Sequence, residues 1–235
     1  MDEKNLPTIP GFYSGENPAN YEQKCPLVLV LDVSSSMYGT PIDELNKGLK
    51  VFQVQIQNDE VAAARLETAI ITFGEGVQCI RDFSLFENNS IQDLSASGYT
   101  PMAEAVSLAI ELITERKEWY RQRGLQFYRP YIVLMTDGEP TSSVVDIKNM
   151  ISAVHSGVAN KKFNFWAFGT KGANMHFLKQ LSSPTFPPQQ LTGVNFREFF
   201  QWLSASMAII SKSKAGDRIN VEPKPGENPF QITIE

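Results

Sequence analysis

Apolar residues fall into two kinds of stretch along this chain. One kind is a short run with few polar breaks: residues 25–33 (CPLVLVLDV), 66–73 (LETAIITF), 130–137 (PYIVLMTD) and 162–169 (KFNFWAFG). Such runs suit strands buried on both faces, as in a parallel sheet between two helical layers. The other kind recurs every three or four residues. Ile42, Leu45, Leu49, Phe52 and Ile56 form one stripe, opened by Pro41 in a first helical turn, where the missing N–H is harmless. Ala105, Leu108, Leu112 and Ile113 mark a helix over 101–123, and its charged end, ERKEWYRQR, reads as solvated. Further helices are expected over 143–158, 174–182 and 195–211, the last carrying Phe196, Phe199, Phe200, Leu203, Met207 and Ile210. VQCIRDF, after the turn Gly74-Glu75-Gly76, reads as an antiparallel edge strand, and 186–192 as a short strand. Strands alternating with helices predict an α/β, Rossmann-like fold. Its central sheet is mainly parallel with one antiparallel edge strand, and helices cover both faces.

Proline placement divides the chain. Pro7, Pro10 and Pro18 mark an irregular N-terminal arm over 1–24, which Phe12, Tyr13 and Tyr21 would anchor. One domain is expected over 25–212. A proline-containing tail follows over 213–235, and its last residues, PFQITIE, either add a strand or stay mobile.

The 235 residues carry a net charge of -5. That balance argues against a surface built to neutralise nucleic-acid phosphates and makes a cation the more natural small partner. The start of the chain lacks the basic and apolar segments of a signal peptide, and no apolar run reaches the ~20 residues that span a bilayer. A cytoplasmic protein with no membrane partner is the expectation. Cys25 and Cys79 both lie in strand-like runs and read as small buried hydrophobes. Asn88-Asn89-Ser90 fits a glycosylation sequon but reads as a polar turn.

The chemistry gathers at two strand ends. In open α/β sheets ligands bind beyond the carboxyl ends of strands, where the strand order reverses. Asp32 and Asp137 each end an apolar run and precede a small polar loop. Asp32, Ser34 and Ser36 alternate, so three oxygen-bearing side chains can turn toward one point. Carboxylates with hydroxyls, and no neighbouring His or Cys, favour Mg²⁺, Mn²⁺ or Ca²⁺ over zinc. Neutral hydroxyls leave much of the ion's charge unquenched, so the ion still attracts an outside anion. Ser35, Thr136 and Thr141 read as turn or local hydrogen-bonding residues, Glu139 as solvated, and Met37 and Tyr38 as the rim. His155 and His176 read as structural or exposed. Phe163, Phe165, Trp166 and Phe168 read as core. The cluster Arg116, Lys117, Arg121, Arg123 and Arg129 reads as a solvated helix end, or as a patch for an acidic or phosphorylated partner.

Asp32-Val33-Ser34-Ser35-Ser36 resembles the Asp-x-Ser-x-Ser signature of von Willebrand factor type A domains. Thr100, in Ser97-Gly98-Tyr99-Thr100-Pro101-Met102, looks like that family's lone threonine, and Asp137, in Thr136-Asp137-Gly138-Glu139-Pro140, like its second aspartate. The resemblance implies a metal-ion-dependent adhesion site. Ser34, Ser36 and Thr100 would supply hydroxyl ligands to Mg²⁺, with Mn²⁺ and Ca²⁺ as alternatives. Asp32 and Asp137 would bind directly or through water, and an Asp or Glu of a partner protein would fill the last position. Leu31-Asp32-Val33-Ser34-Ser35-Ser36-Met37, Gly39-Thr40-Pro41-Ile42 and Thr136 to Thr141 are most similar to short cytosolic bacterial members from tellurium-resistance and stress-defence clusters. Those clusters often encode a Ser/Thr kinase and a metal-dependent phosphatase. The resemblance therefore implies a non-enzymatic scaffold in phospho-signalling. A metal-dependent phosphotransferase or phosphatase using Asp32, and a structural component that needs no metal, are the other readings.

Overall fold

In the computed structural model, the structure describes residues 20–86, 91–170, 172–184, 186–191, 196–213, 218–221 and 230–233. Strands β1 (Cys25–Asp32), β2 (Leu66–Phe73), β3 (Val77–Ser84), β4 (Tyr131–Thr136), β5 (Asn164–Gly169) and β6 (Gln189–Gln190) form one sheet. Its order is β3-β2-β1-β4-β5-β6, parallel throughout except for the antiparallel β3 at one edge. The helices are α1 (Thr40–Gln57), α2 (Glu60–Arg65), α3 (Met102–Gln122), α4 (Val144–Ala159), α5 (Met175–Leu181) and α6 (Phe196–Lys212). This is the fold the sequence pattern predicts.

The unbroken apolar runs have a direct cause. Successive side chains of a strand point to opposite faces. Leu27, Leu29 and Leu31 of β1 enter the layer under α1 and α6, where Leu45, Phe52, Phe200 and Met207 pack. Val28 and Val30 enter the other layer, with Val106, Ala109, Met150 and Leu178 from α3, α4 and α5. Both faces are covered, so β1 has no solvent side. Each fully buried side chain of this size contributes about 1.5–3 kcal/mol. Phe163, Phe165, Trp166 and Phe168 are buried, as expected.

Several local expectations change. The end of α3 is not solvated: Arg116, Trp119 and Tyr120 are buried. Arg116 donates to Glu67 Oε2 from Nε at 2.9 Å and from Nη2 at 2.8 Å, and Tyr120 donates to the same oxygen. The guanidinium also lies 4.1 Å from the Trp119 ring centre. Lys117, Arg121 and Arg123 remain at least partly exposed. Cys79 is exposed because it lies on the edge strand; only Cys25 is a buried hydrophobe, and both thiols are free. Among the described residues of the strand expected over 186–192, Gln189 and Gln190 are the ones that pair. The six-residue α2, capped by Asp59, falls in a stretch with no long apolar stripe. Tyr21 is exposed, while Asn20 and Lys24 tie the chain to the Ala64 carbonyl. Phe12, Tyr13 and the Asn88 sequon lie outside the described residues. Phe230–Thr233 does form a strand (β8), but it pairs with β7 (Arg218–Val221) and not with the main sheet.

The Glu67–Arg116 pair sits far from water, so stripping one partner leaves an uncompensated charge. Arg116→Met is expected to destabilise the fold by about 3–5 kcal/mol, measured by urea denaturation. A loss below about 1 kcal/mol would match an exposed pair and contradict this assignment.

Candidate metal centre

The strand order reverses between β1 and β4. From β1 the chain moves outward to β2 and β3, then returns across to β4 and continues to β5 and β6. The carboxyl ends of these two central strands therefore face a crevice flanked by loops on both sides. Asp32 ends β1 and Asp137 follows β4, so the topology brings the two carboxylates together.

Asp32 is 1% exposed, and both of its oxygens hold donors. Oδ1 accepts from the Ser34 N–H at 2.9 Å, which turns the chain sharply after the strand. Oδ2 accepts from the Thr136 hydroxyl at 2.5 Å. Leu31 pairs with Met135 in the parallel register, so Asp32 and Thr136 end neighbouring strands side by side. Thr136 Oγ1 also accepts from the Gly138 N–H at 3.2 Å, fixing the start of the Asp137 loop. A short 3-10 turn, Ser35–Met37, then brings Ser36 over Asp137. Ser36 donates to Asp137 Oδ1 at 2.8 Å and lies 3.0 Å from Ser34 Oγ. A hydroxyl has one proton and two lone pairs. With the Ser36 proton on Asp137, Ser34 must donate to Ser36. The chain Ser34→Ser36→Asp137 still leaves hydroxyl lone pairs for a cation.

Thr100 comes from the loop before α3. Its backbone N–H donates to Thr141 Oγ1 at 3.1 Å, and its carbonyl accepts from Thr141 N at 2.9 Å. An added Cβ at Gly138 would stand 3.5 Å from Thr100 Oγ1, so the hydroxyl lies against the Asp137 loop. Two glycines permit this convergence. Gly98 has φ +77°, and a Cβ there would meet Glu75 N at 2.3 Å. A Cβ at Gly74 would meet Ser97 O at 2.5 Å and Val33 O at 2.8 Å. Ser35 faces away from Asp137 and ties the first loop to the Gly98 carbonyl from its N–H at 3.2 Å and its hydroxyl at 3.0 Å. Of the five residues singled out from sequence, Asp32 thus ends β1, and Ser34, Ser36, Thr100 and Asp137 lie on loops beyond the strand ends that pack on one another. Glu139 is exposed and accepts from Asn174 at 2.8 Å; Met37 is core, and Tyr38 projects into solvent. His155 and His176 are exposed on other elements. Thr136 is the residue the sequence undervalues: its bond is not merely local but holds Asp32.

Burial pushes the Asp32 carboxyl above its ordinary range; the Ser34 and Thr136 hydrogen bonds oppose this, and the Asp137 charge adds to it. Burial also raises Asp137, against the pull of the Ser36 hydroxyl. The donor set is two carboxylates and three hydroxyls, all oxygen. That set fits a hard divalent cation, which would relieve the cost of holding both aspartates ionised. Among the described residues no three His, Cys, Asp or Glu side chains gather as a metal group, so hydroxyls are needed to complete any shell.

A doubly wound sheet with an Asp, Ser, Ser, Thr, Asp cluster at its switch point defines the class: an α/β domain with its polar cluster on one end of the sheet. The chain belongs to the von Willebrand factor type A domain family, whose sequence profile matches residues 27–201. It is similar to inter-alpha-trypsin inhibitor heavy chain H6 of Homo sapiens, 27% identical over 161 residues, and to heavy chain H1 of Bos taurus, 24% identical over 159 residues. These matches cover 66% of this chain but only 12% and 17% of those proteins. Among solved structures it is similar to the pilus adhesin SpaC of Lactobacillus rhamnosus GG. The TM-score is 0.63 at 14% identity, covering 79% of this chain and 30% of that one. It is also similar to the von Willebrand domain of the type V pili tip protein Mfa5 of Porphyromonas gingivalis. There the TM-score is 0.61 at 11% identity, covering 82% of this chain and 98% of that one. These identities show a shared fold. No helix among the described residues is long and apolar enough to cross a membrane.

A carboxyl whose pKa is raised by folding favours the folded state while it is protonated. That contribution is full below about pH 4 and is lost as pH rises through the raised values. With divalent cations removed by EDTA, Asp137→Asn is therefore expected to lose less stability than wild type between pH 4 and pH 7. Parallel urea titrations measure this; equal losses in the two proteins would contradict the assignment.

Proposed function

We propose that this chain is a non-enzymatic, divalent-cation-dependent protein-binding module. Asp32, Ser34, Ser36, Thr100 and Asp137 would hold Mg²⁺, with Mn²⁺ or Ca²⁺ as alternatives of the same ligand preference. The observation that carries the reading is the Ser34→Ser36→Asp137 hydroxyl relay, which aims hydroxyl oxygens into a carboxylate-bearing crevice. The cation supplies one thing, a positive centre that attracts an anionic group from outside. The chain's own residues do the rest. Thr136 and the Ser34 N–H orient Asp32, Thr141 positions Thr100, and the Gly74 and Gly98 contacts hold the three loops in register. An Asp or Glu of a partner protein would complete the coordination.

Membership of a family of metal-dependent interaction and adhesion modules supports this reading. The finer assignment is a cytoplasmic scaffold in bacterial tellurium-resistance or stress-defence signalling, working with a Ser/Thr kinase and a metal-dependent phosphatase. It rests on the Leu31–Met37, Gly39–Ile42 and Thr136–Thr141 motifs alone. The enzymatic alternative needs Asp32 as a nucleophile. Asp32 is buried with a donor on each oxygen, a poor setting for in-line attack.

Calorimetric titration with MgCl₂ tests the site. Asp137→Ala is expected to abolish binding, and Thr136→Val, which unties Asp32 and releases the Gly138 N–H but removes no ligand, to weaken it about 10–100-fold. Partner capture from the native cell is expected to disappear in EDTA and in Asp137→Ala, with circular dichroism unchanged. Capture that survives EDTA would overturn the mechanism.

A further inference from the structure

The surface around the five-residue cluster has an unusual composition. Eight large apolar side chains are exposed among the described residues, and four of them are Tyr38, Tyr99, Val144 and Val145. Tyr38 lies two residues after Ser36, Tyr99 directly before Thr100, and the valines open α4 just beyond the Asp137 loop. Tyr38 is 81% exposed and Tyr99 76%. Neither ring is spent on the core. Exposed tyrosines beside a polar centre are typical anchors of recognition surfaces.

The same loops are one-sided in charge. Residues 33–43, 74–76, 97–104 and 137–146 contain no Lys, Arg or His. Apart from Asp137 at the centre and Asp43, which lies in the first turn of α1 within the field of Lys47, they carry Glu75, Glu104, Glu139 and Asp146, all exposed. None of the four is ion-paired among the described residues; their contacts are neutral. Ser142 donates to Glu104, Asn174 to Glu139, and Ser143 to Asp146. The sequence places one lysine, Lys171, in the loop after β5, outside the described residues.

Two simpler explanations account for part of this charge. Glu104 and Asp146 lie in the first turns of α3 and α4, where a helix end offers about half a positive charge. That offsets each acid only in part, and Glu75 and Glu139 lie on no helix. A negative field would also draw in a cation. Once a divalent ion is held, however, it balances Asp32 and Asp137, and the four outer carboxylates keep no ion-pair partner among the described residues. A wholly acidic partner segment would then meet repulsion from these acids.

We propose, building on the cation-dependent reading above, that the partner segment presents one Asp or Glu flanked within two or three residues by Arg or Lys. The carboxylate goes to the ion. The flanking cations meet Glu75, Glu104, Glu139 and Asp146, and lie over the faces of Tyr38 and Tyr99 as cation–π contacts. At about 3.3 Å per residue, two or three residues of extended chain carry a flanking cation about 7–10 Å from the carboxylate that meets the ion. The outer acids and the two tyrosines are thus specificity residues, not ligands of the ion.

A phage-displayed heptapeptide library with a fixed central Asp tests this on the full chain. Phage are captured in MgCl₂ and eluted with EDTA. Arg and Lys are expected to be enriched at least about threefold at the flanking positions over the unselected library. The Glu75→Gln, Glu104→Gln, Glu139→Gln, Asp146→Asn variant is expected to bind Mg²⁺ and to lose that enrichment. Tyr38→Ala with Tyr99→Ala is expected to reduce EDTA-eluted phage without altering Mg²⁺ binding. EDTA-eluted peptides with neutral or acidic flanks overturn this inference and leave the cation-dependent reading intact. No EDTA-eluted enrichment of any kind overturns both.

Discussion

Two carboxylates set at the ends of neighbouring buried strands are difficult to keep ionised together. Burial raises both Asp32 and Asp137, and the charge of Asp137 further opposes ionisation of Asp32. The surrounding groups can orient these carboxylates but cannot neutralise them. Backbone N–H and hydroxyl donors from Ser34, Ser36 and Thr136 are neutral. The arrangement is therefore electrostatically incomplete, and a hard divalent cation is the simplest completion. The parallel pairing of β1 with β4 produces this tension, since it alone sets Asp32 beside Thr136.

The rest of the molecule supports that placement. Leu27, Leu29 and Leu31 on one face of β1, and Val28 and Val30 on the other, lock the strand between two helical layers. A strand so fixed delivers its last residue to a defined point. At the other end of the sheet, the buried Glu67–Arg116 pair and Tyr120 fasten α3 to the start of β2. The same helix begins directly after the Thr100 loop. Packing and site are thus joined through single elements: β1 carries Asp32, and α3 is anchored at the far pole from the loop it follows.

Much of this is legible in the amino-acid sequence because the signals are local. Unbroken apolar runs identify β1, β2, β4 and β5, and Asp32, Ser34 and Ser36 lie within five residues of one another. Features that depend on register or on helical phase are harder to read. Thr136 gains its role only when β1 and β4 are neighbours. Arg116 and Tyr120 continue the Ala109, Leu112, Ile113 stripe at helical spacing, yet their polarity hides their burial. Cys79 reads as core by composition but lies on an exposed edge. Gly98 resembles any loop glycine until its close approach to Glu75 is visible.

The central claim is that the Asp, Ser, Ser, Thr, Asp cluster holds one divalent cation with a position open to an outside carboxylate. The most direct measurement is a crystal structure grown in MnCl₂, with anomalous scattering used to locate the metal. One strong peak is expected, within about 2.0–2.6 Å of the Ser34, Ser36 and Thr100 hydroxyl oxygens, bearing at least one water or foreign oxygen. A crevice without an anomalous peak at saturating manganese, or a peak held elsewhere on the chain, would contradict it.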